Sequence, residues 1–397
     1  MRKPAGSWVF KSIFASIQGI SSTVVGTPFA WRNLTHRKVR ALVALTGVSF
    51  SVLLMFMQVG FYDAILASAT APYRTMNGDI FLTSPLYVYL GRTGSIPRQR
   101  LFQVEGVAGV RTADAFFADI LMWRNTETHL RHPMLVMAFA PSSGLMNISR
   151  ESMQLLGDGR ILVDSLTRPH FGPQVVGLVT EIGDRQVSIA GQYRIGPGFA
   201  TDGAAIMDDD TFIRMFKRGS IESPSFGVVR TKAGADVTII AAALRRMVPA
   251  DTRVFTREEM ILREEDYWAN QTSIGPVFAA GAVLGLVIGI VILYQVMATD
   301  ITNRIREYAT LKALGYEGFR LTWIVLQEVS AFSLAGSAVG VLLSAGLYWI
   351  VRDSTGLPMT MEPGRCASIL LLTFLMCWTA GLLAVRKLRK ADPAELF

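Results

Sequence analysis

The chain has 397 residues, of which 51% are hydrophobic and only 18% charged, and its formal net charge is +8. A soluble domain usually carries about 25% charged residues, so the composition excludes a simple cytosolic enzyme as well as a fibrous or disordered protein. The apolar residues gather in four charge-free runs and the excess basic residues sit at the edges of those runs. That distribution excludes the clustered basic face by which a folded domain binds nucleic acid.

Residues 1–40 carry Arg2, Lys3, Lys11, Arg32, Arg37, Lys38 and Arg40 and no acid. Within them, 12–31 are uncharged, with Ile13, Ile17 and Ile20 at helical spacing beside Phe10 and Phe14 and many Ser and Thr. This pattern predicts a cytoplasmic amphipathic segment lying on the membrane, with a crossing helix or a signal peptide as the alternatives. Uncharged runs then occupy 41–61, 272–299, 329–351 and 366–385, of 21, 28, 23 and 20 residues. A helix needs about 20 residues to cross roughly 30 Å of hydrocarbon, so four transmembrane helices are predicted at 41–61, 272–299, 321–351 and 366–385. Segment 300–320 holds Arg304, Arg306, Lys312 and Arg320, and the tail 386–397 holds Arg386, Lys387, Arg389 and Lys390. Segment 352–365 instead balances Arg352 and Arg365 with Asp353 and Glu362. Lys and Arg near span ends stay in the cytoplasm, which puts both termini and 300–320 inside and 62–271 and 352–365 outside. The basic edges also suit anionic membrane lipids.

The external segment 62–271 has 22 bases and 23 acids, and so the average composition of a folded domain. Strands are predicted at 79–83, 134–140, 187–195, 204–207, 226–230 and 253–256, and helices at 98–106, 211–217, 237–248 and 257–270, giving an α+β domain. Glycine and proline crowd its middle (Gly157, Gly159, Gly172, Pro173, Gly196, Pro197), which predicts a loop-rich insertion. Catalytic and metal signals are sparse. His129, His132 and His170 stand without a His-Glu-x-x-His pattern, and His129 and His132 fit a surface turn better than a metal site. Asp208, Asp209 and Asp210 precede Thr211 as helix-capping residues do. Cys366 and Cys377 both belong to the fourth run, so no disulfide framework is expected. No Gly-Lys-Ser/Thr triplet occurs, so the chain has no P-loop of its own.

The most specific stretch is 300–320. Ile301, Ile305 and Tyr308 recur at i, i+4 and i+7, Asp300 and Arg304 form a favourable i,i+4 pair, and Gly315 suits a helix end. Such an amphipathic helix either lies on the membrane or docks into a groove of a cytoplasmic partner. The run Glu307-Tyr308-Ala309-Thr310-Leu311-Lys312-Ala313-Leu314-Gly315-Tyr316 resembles the cytoplasmic loop of FtsX-like, MacB-type ABC transporter permeases. Gln327-Glu328 followed by Gly336 and Gly340 is similar to that family's third span. Ala30-Trp31, Leu54-Met55-Phe56-Met57-Gln58 and the terminal Ala391-Asp392-Pro393-Ala394-Glu395-Leu396-Phe397 resemble the heterocyst-exporter (DevC-type) branch.

The resemblance implies four transmembrane helices with a MacB-like extracytoplasmic α+β domain inserted between helices 1 and 2. It implies a non-catalytic permease in the inner membrane, paired as a homodimer with separate ABC ATPase subunits that bind ATP and Mg. The DevC likeness adds a membrane-fusion adaptor and a TolC-like outer-membrane channel, a tripartite efflux system. Residues Ile301, Ile305, Glu307, Tyr308, Leu311, Lys312, Ala313, Leu314 and Gly315 are then the ATPase-coupling segment. The helix at 257–270, continuous or nearly so with span two, would carry the motion outward. An FtsX-like regulator of a cell-wall hydrolase and a lipoprotein-releasing permease are the alternatives within the family; a ligand receptor and a membrane-embedded enzyme lie outside it. Gly281, Gly285 and Gly289 repeat every fourth residue, a pattern that lets membrane helices approach. They fit either a dimer seam or a contact within the subunit. Glu328, a carboxylate in an apolar span, is expected to face protein and to pair with Arg320 or Arg304.

Overall fold

The computed structural model describes residues 38–196, 201–216, 223–303 and 318–390. The predicted amphipathic segment at 12–31 lies outside them. The described residues divide into two compact units, one of 38–53, 284–303, 318–342 and 364–390, the other of 54–196, 201–216, 223–283 and 343–363.

Helix α1 (Lys38–Thr75) has 38 residues. At 1.5 Å per residue it is about 57 Å long, and so runs far beyond the uncharged stretch 41–61. The external domain follows as β1 (Ile80–Thr83), α2 (Gln99–Glu105), β2 (Val110–Arg124), β3 (Arg131–Ala138), α3 (Arg150–Gln154), β4 (Arg160–Asp164), β5 (Val179–Ile182), β6 (Arg185–Tyr193), β7 (Ala204–Met207), α4 (Asp209–Phe216), β8 (Phe226–Thr231), α5 (Val237–Met247), β9 (Arg253–Thr256) and α6 (Arg257–Asp266). A π-helical turn, Tyr267–Gln271, leads to α7 (Ile274–Asn303); α8 (Gly318–Thr355) and α9 (Pro363–Lys390) complete the chain. Among the described residues, α1, α7, α8 and α9 are the four helices long and apolar enough to cross a membrane. The fold is therefore four apolar helices with a large α/β domain between the first and second.

Alternation along the strands builds the external domain. Ile80 and Leu82 of β1 face one core with Leu101, Val104, Ile240 and Leu244 of α2 and α5. Phe81 between them faces the opposite core with Tyr73, Phe116, Phe226 and Met260. The strand order here is β2-β8-β1-β9, all pairs antiparallel.

Beyond Phe116, β2 leaves β8 and pairs with β3 over Phe117–Arg124. The pairings then run β3–β7, β7–β4, β4–β6, β6–β5 and back to β2, a closed ring of strands. Phe117, Leu121, Trp123, Met134, Val136, Ile161, Val163, Val187, Ile189, Ala205 and Met207 alternate into its interior. The middle of the domain is thus a small barrel rather than the loop-rich insertion that its glycines predict. Those glycines sit at the tight turns of short strands: Gly157 and Gly159, at φ 120° and 77°, adopt a conformation open to few other residues.

Helix α6 begins where it does because Thr256 and Glu259 form a capping box: Thr256 Oγ1 accepts from Glu259 N–H at 3.3 Å, and Glu259 Oε2 accepts from Thr256 N–H at 2.8 Å. Continuity with span two is interrupted. Thr272 is extended, at φ −114° and ψ 169°, and α7 resumes at Ile274 with Pro276 in its first turn, where a missing N–H costs nothing.

Candidate functional site

Within the membrane-helix unit, small residues set the helix contacts. A Cβ at Gly336 would lie 2.6 Å from Val48, and one at Gly340 2.7 Å from Val52, so α8 presses backbone-close against α1. Ser49 Oγ donates to Gly336 O at 3.0 Å across the same contact. Gly289 faces Met376 of α9 and Ser51 of α1, and Gly285 is buried. In the other unit, Gly281 faces Gln58 of α1. Gly281, Gly289, Gly336 and Gly340 are therefore all occupied by helices of the same chain.

At one end of this unit three charged side chains meet. Arg40, in the first turn of α1, pairs with Asp300 in the last turn of α7 through Nη1, and its Nη2 lies 3.2 Å from Glu328 Oε1 on α8. Asp300 is 0% exposed and Glu328 3%. The planar guanidinium fork holds two carboxylates in a way that a lysine could not. Ion pairs in low dielectric persist only where desolvation is met by such contacts. Asp300 stands just before the segment 304–317 and Glu328 follows it on α8, so one arginine ties together both flanks of that segment. Ile301, 3% exposed, packs beside the cluster.

Sequence reasoning named Glu328 and expected Arg320 or Arg304 as its partner. The side chains of both lie outside the described residues; among the described residues Arg40 pairs with Glu328. In the sequence Arg40 reads only as a retention charge, and Asp300 only as a helix-surface partner of Arg304. The available signal was two carboxylates at the edges of apolar runs, which call for a cation from another helix. Of the coupling segment, Ile301 alone is described; Ile305, Glu307, Tyr308, Leu311, Lys312, Ala313, Leu314 and Gly315 lie outside the described residues.

A second buried carboxylate, which sequence reasoning missed, belongs to the external unit. Glu264 of α6 is 1% exposed. It accepts from Tyr87 O–H at 2.7 Å, from Leu90 N–H at 3.3 Å and from the Trp268 indole N–H at 3.3 Å. Tyr87 in turn shares a hydrogen bond with Tyr73 of α1. Burial pushes the Glu264 carboxyl up to about 7, against the pull of these donors.

The remaining sequence candidates are structural. Asp208 Oδ2 accepts from Thr211 N–H at 2.9 Å, capping α4. His129 occupies the β2–β3 turn at φ 58°, and His132 lies on β3, packed edge-on against His170. Among the described residues no three His, Cys, Asp or Glu side chains converge as a metal site would require.

Residues 279–393 match the model of the FtsX-like permease C-terminal family. This stretch takes in most of α7 and all of α8 and α9, and so includes Asp300 and Glu328. Along 393 residues the chain is 20% identical to an uncharacterized ABC transporter permease of Methanocaldococcus jannaschii, covering 92% of this chain and 96% of that one. Two solved structures are similar to part of it. The extracellular domain of the noncanonic ABC-type transporter YknZ from Gram-positive bacteria shares 13% identity, with 45% of this chain and 98% of that one covered and a TM-score of 0.32. The periplasmic region of MacB from Actinobacillus actinomycetemcomitans shares 7%, with 47% and 92% covered and a TM-score of 0.34. The stretch that matches the FtsX-like permease domain thus supplies three of the four apolar helices, and the large domain is inserted ahead of it, after the first.

Proposed function

We propose that this chain is the permease subunit of an ATP-driven export system, resident in the inner membrane with both termini cytoplasmic. It forms a homodimer beside separate ABC ATPase subunits that supply the ATP and Mg sites. The observation that carries this reading is the FtsX-like match over 279–393, which contains the segment Glu307–Gly315 and the buried carboxylates on either side of it.

ATP-driven closure of the ATPases presses on Ile301, Ile305, Tyr308 and Leu311. Arg40 makes α1 move with the flanks of that segment, because pulling a guanidinium away from two buried carboxylates is costly in a low-dielectric setting. The helix α1 continues without a break into the external domain, where Tyr73 belongs to the core. Substrate already outside the membrane is thereby moved mechanically toward a membrane-fusion adaptor and a TolC-like channel, and none passes through the four-helix bundle.

Purification of the full chain from native membranes tests this. An ATPase subunit is expected to co-elute, and Leu311→Asp or Tyr308→Asp to abolish its association and the transport it drives. ATPase association and export that survive both substitutions would overturn the coupling role. Co-elution of an adaptor and an outer-membrane channel would support the tripartite assembly, and their absence from an otherwise intact permease–ATPase complex would refute it.

A further inference from the structure

In the external unit a cleft of about 340 Å³ opens between α1, two barrel loops and the chain just after α8. Its volume falls within the range of small-molecule sites. Ala67, Ser68, Ala71, Arg74 and Thr75 of α1 line one side, spaced at i, i+1, i+4, i+7 and i+8 and so on one helix face. The small residues of that face leave the space, and Leu166, Ile195 and Leu357 add apolar lining from the barrel loops and the chain after α8.

Charged side chains line it as well. Arg74 is held by Thr70 Oγ1 at 3.1 Å from its Nε and by Glu265 Oε1 at 3.2 Å from its Nη2. Arg168 stands 3.6 Å from Asp202 Oδ1 through its Nε. Among the described residues, Nη1 of Arg74 and both Nη atoms of Arg168 have no acceptor. Of the three charged residues lining the cleft, two are arginines and one, Asp202, is acidic.

We propose that this cleft binds an amphipathic anion, a phosphate-type headgroup carrying an alkyl chain. The headgroup oxygens accept from the unfilled guanidinium N–H groups, for which charge-assisted bonds are strong and directional. The alkyl chain lies against Leu166, Ile195 and Leu357. A neutral amphiphile would leave those donors unused, and inorganic phosphate would leave the apolar lining bare. Thr355 comes four residues after Val351, the end of the third uncharged run, so the mouth is about 6 Å beyond that end. That depth is the headgroup layer, from which such a ligand can enter. The orientation rests on the permease reading; the cleft and its chemistry do not.

The test uses the full chain with Cys366→Ser and Cys377→Ala, reconstituted in phosphatidylcholine nanodiscs, with Ala71→Cys as a reporter of maleimide labelling. Octyl phosphate is expected to slow labelling about fivefold, while octyl glucoside and inorganic phosphate leave it unchanged. Leu130→Cys, exposed on the barrel, is expected to label at one rate throughout, which also reports an intact fold. Arg168→Gln is expected to abolish the protection and Arg168→Lys to restore part of it. In a second arm, nanodiscs containing phosphatidylglycerol replace octyl phosphate: protection there identifies a bilayer lipid as the source, and its absence a free amphiphile. Protection by neither anion, equal protection by octyl glucoside, or protection that survives Arg168→Gln with Arg74→Gln would overturn the site. Labelling needs no ATPase, so this result and the failure of the permease reading are separately visible.

Discussion

The two units each bury carboxylate, and they accommodate it by opposite means. Asp300 and Glu328 stand beside a guanidinium, Arg40, brought in from another helix. Glu264 has only neutral donors around it, a phenol, an indole and a backbone amide, and its proton affinity rises to about 7. An ion cluster joining three helices resists separation, which suits the force-transmitting role proposed for them. A carboxyl held by neutral donors changes its charge near neutral pH, so the external unit is the one whose stability is sensitive to its medium.

The largest effect expected from breaking this contrast is at Arg40. Arg40→Ala removes the guanidinium that bridges α1 to the buried Asp300 and Glu328 and is expected to destabilise the helix unit by about 3–5 kcal/mol, read as a drop in thermal midpoint of the purified chain. Arg40→Lys is expected to recover part of this, because an ammonium supplies charge without the planar fork.

Glu264→Gln sharpens the other side. The folded-state value of about 7 stands above the ordinary 4.5, so between those pH values the folded chain holds a proton that the unfolded chain has released. The contribution to stability is full below about 4.5 and is lost as pH rises through about 7, amounting to roughly 3 kcal/mol at most. Glu264→Gln is expected to remove that slope from a stability–pH profile; a slope that persists would place the titrating group elsewhere. Tyr87→Phe takes one donor from the carboxylate, which is expected to cost about 1–3 kcal/mol at alkaline pH and less at pH 5, where the carboxyl is neutral. The smallest effect is expected at Thr256→Ala, which removes the cap of the helix that carries Glu264, at about 1 kcal/mol, measured by denaturation at a fixed pH.

Much of this architecture was legible in sequence, for reasons that differ by element. The four long helices announce themselves because a charge inside hydrocarbon is costly, so runs such as 366–385 must be free of it. Strands β7 and β9 fall at 204–207 and 253–256 as predicted, since β-branched and apolar residues stand there between turn residues. Strand β2 escaped notice: its 15 residues serve the four-stranded sheet with one half and the ring with the other, so no single alternation runs through Val110–Arg124. Strands β4 and β5 are too short, and too close to glycine (Gly159 before β4, Gly183 after β5), to signal their pairing.

By itself the sequence determined the number and order of the apolar helices, the neutral domain between the first two, and the positive edges, because these follow from transfer energies of single residues. Tertiary structure alone decided which helix each glycine faces, that Arg40 of α1 reaches both Asp300 and Glu328, and that Glu264 is buried among neutral donors. Those outcomes join residues up to 288 positions apart, and proximity across such a distance is set by the packing of whole elements, which no local pattern records.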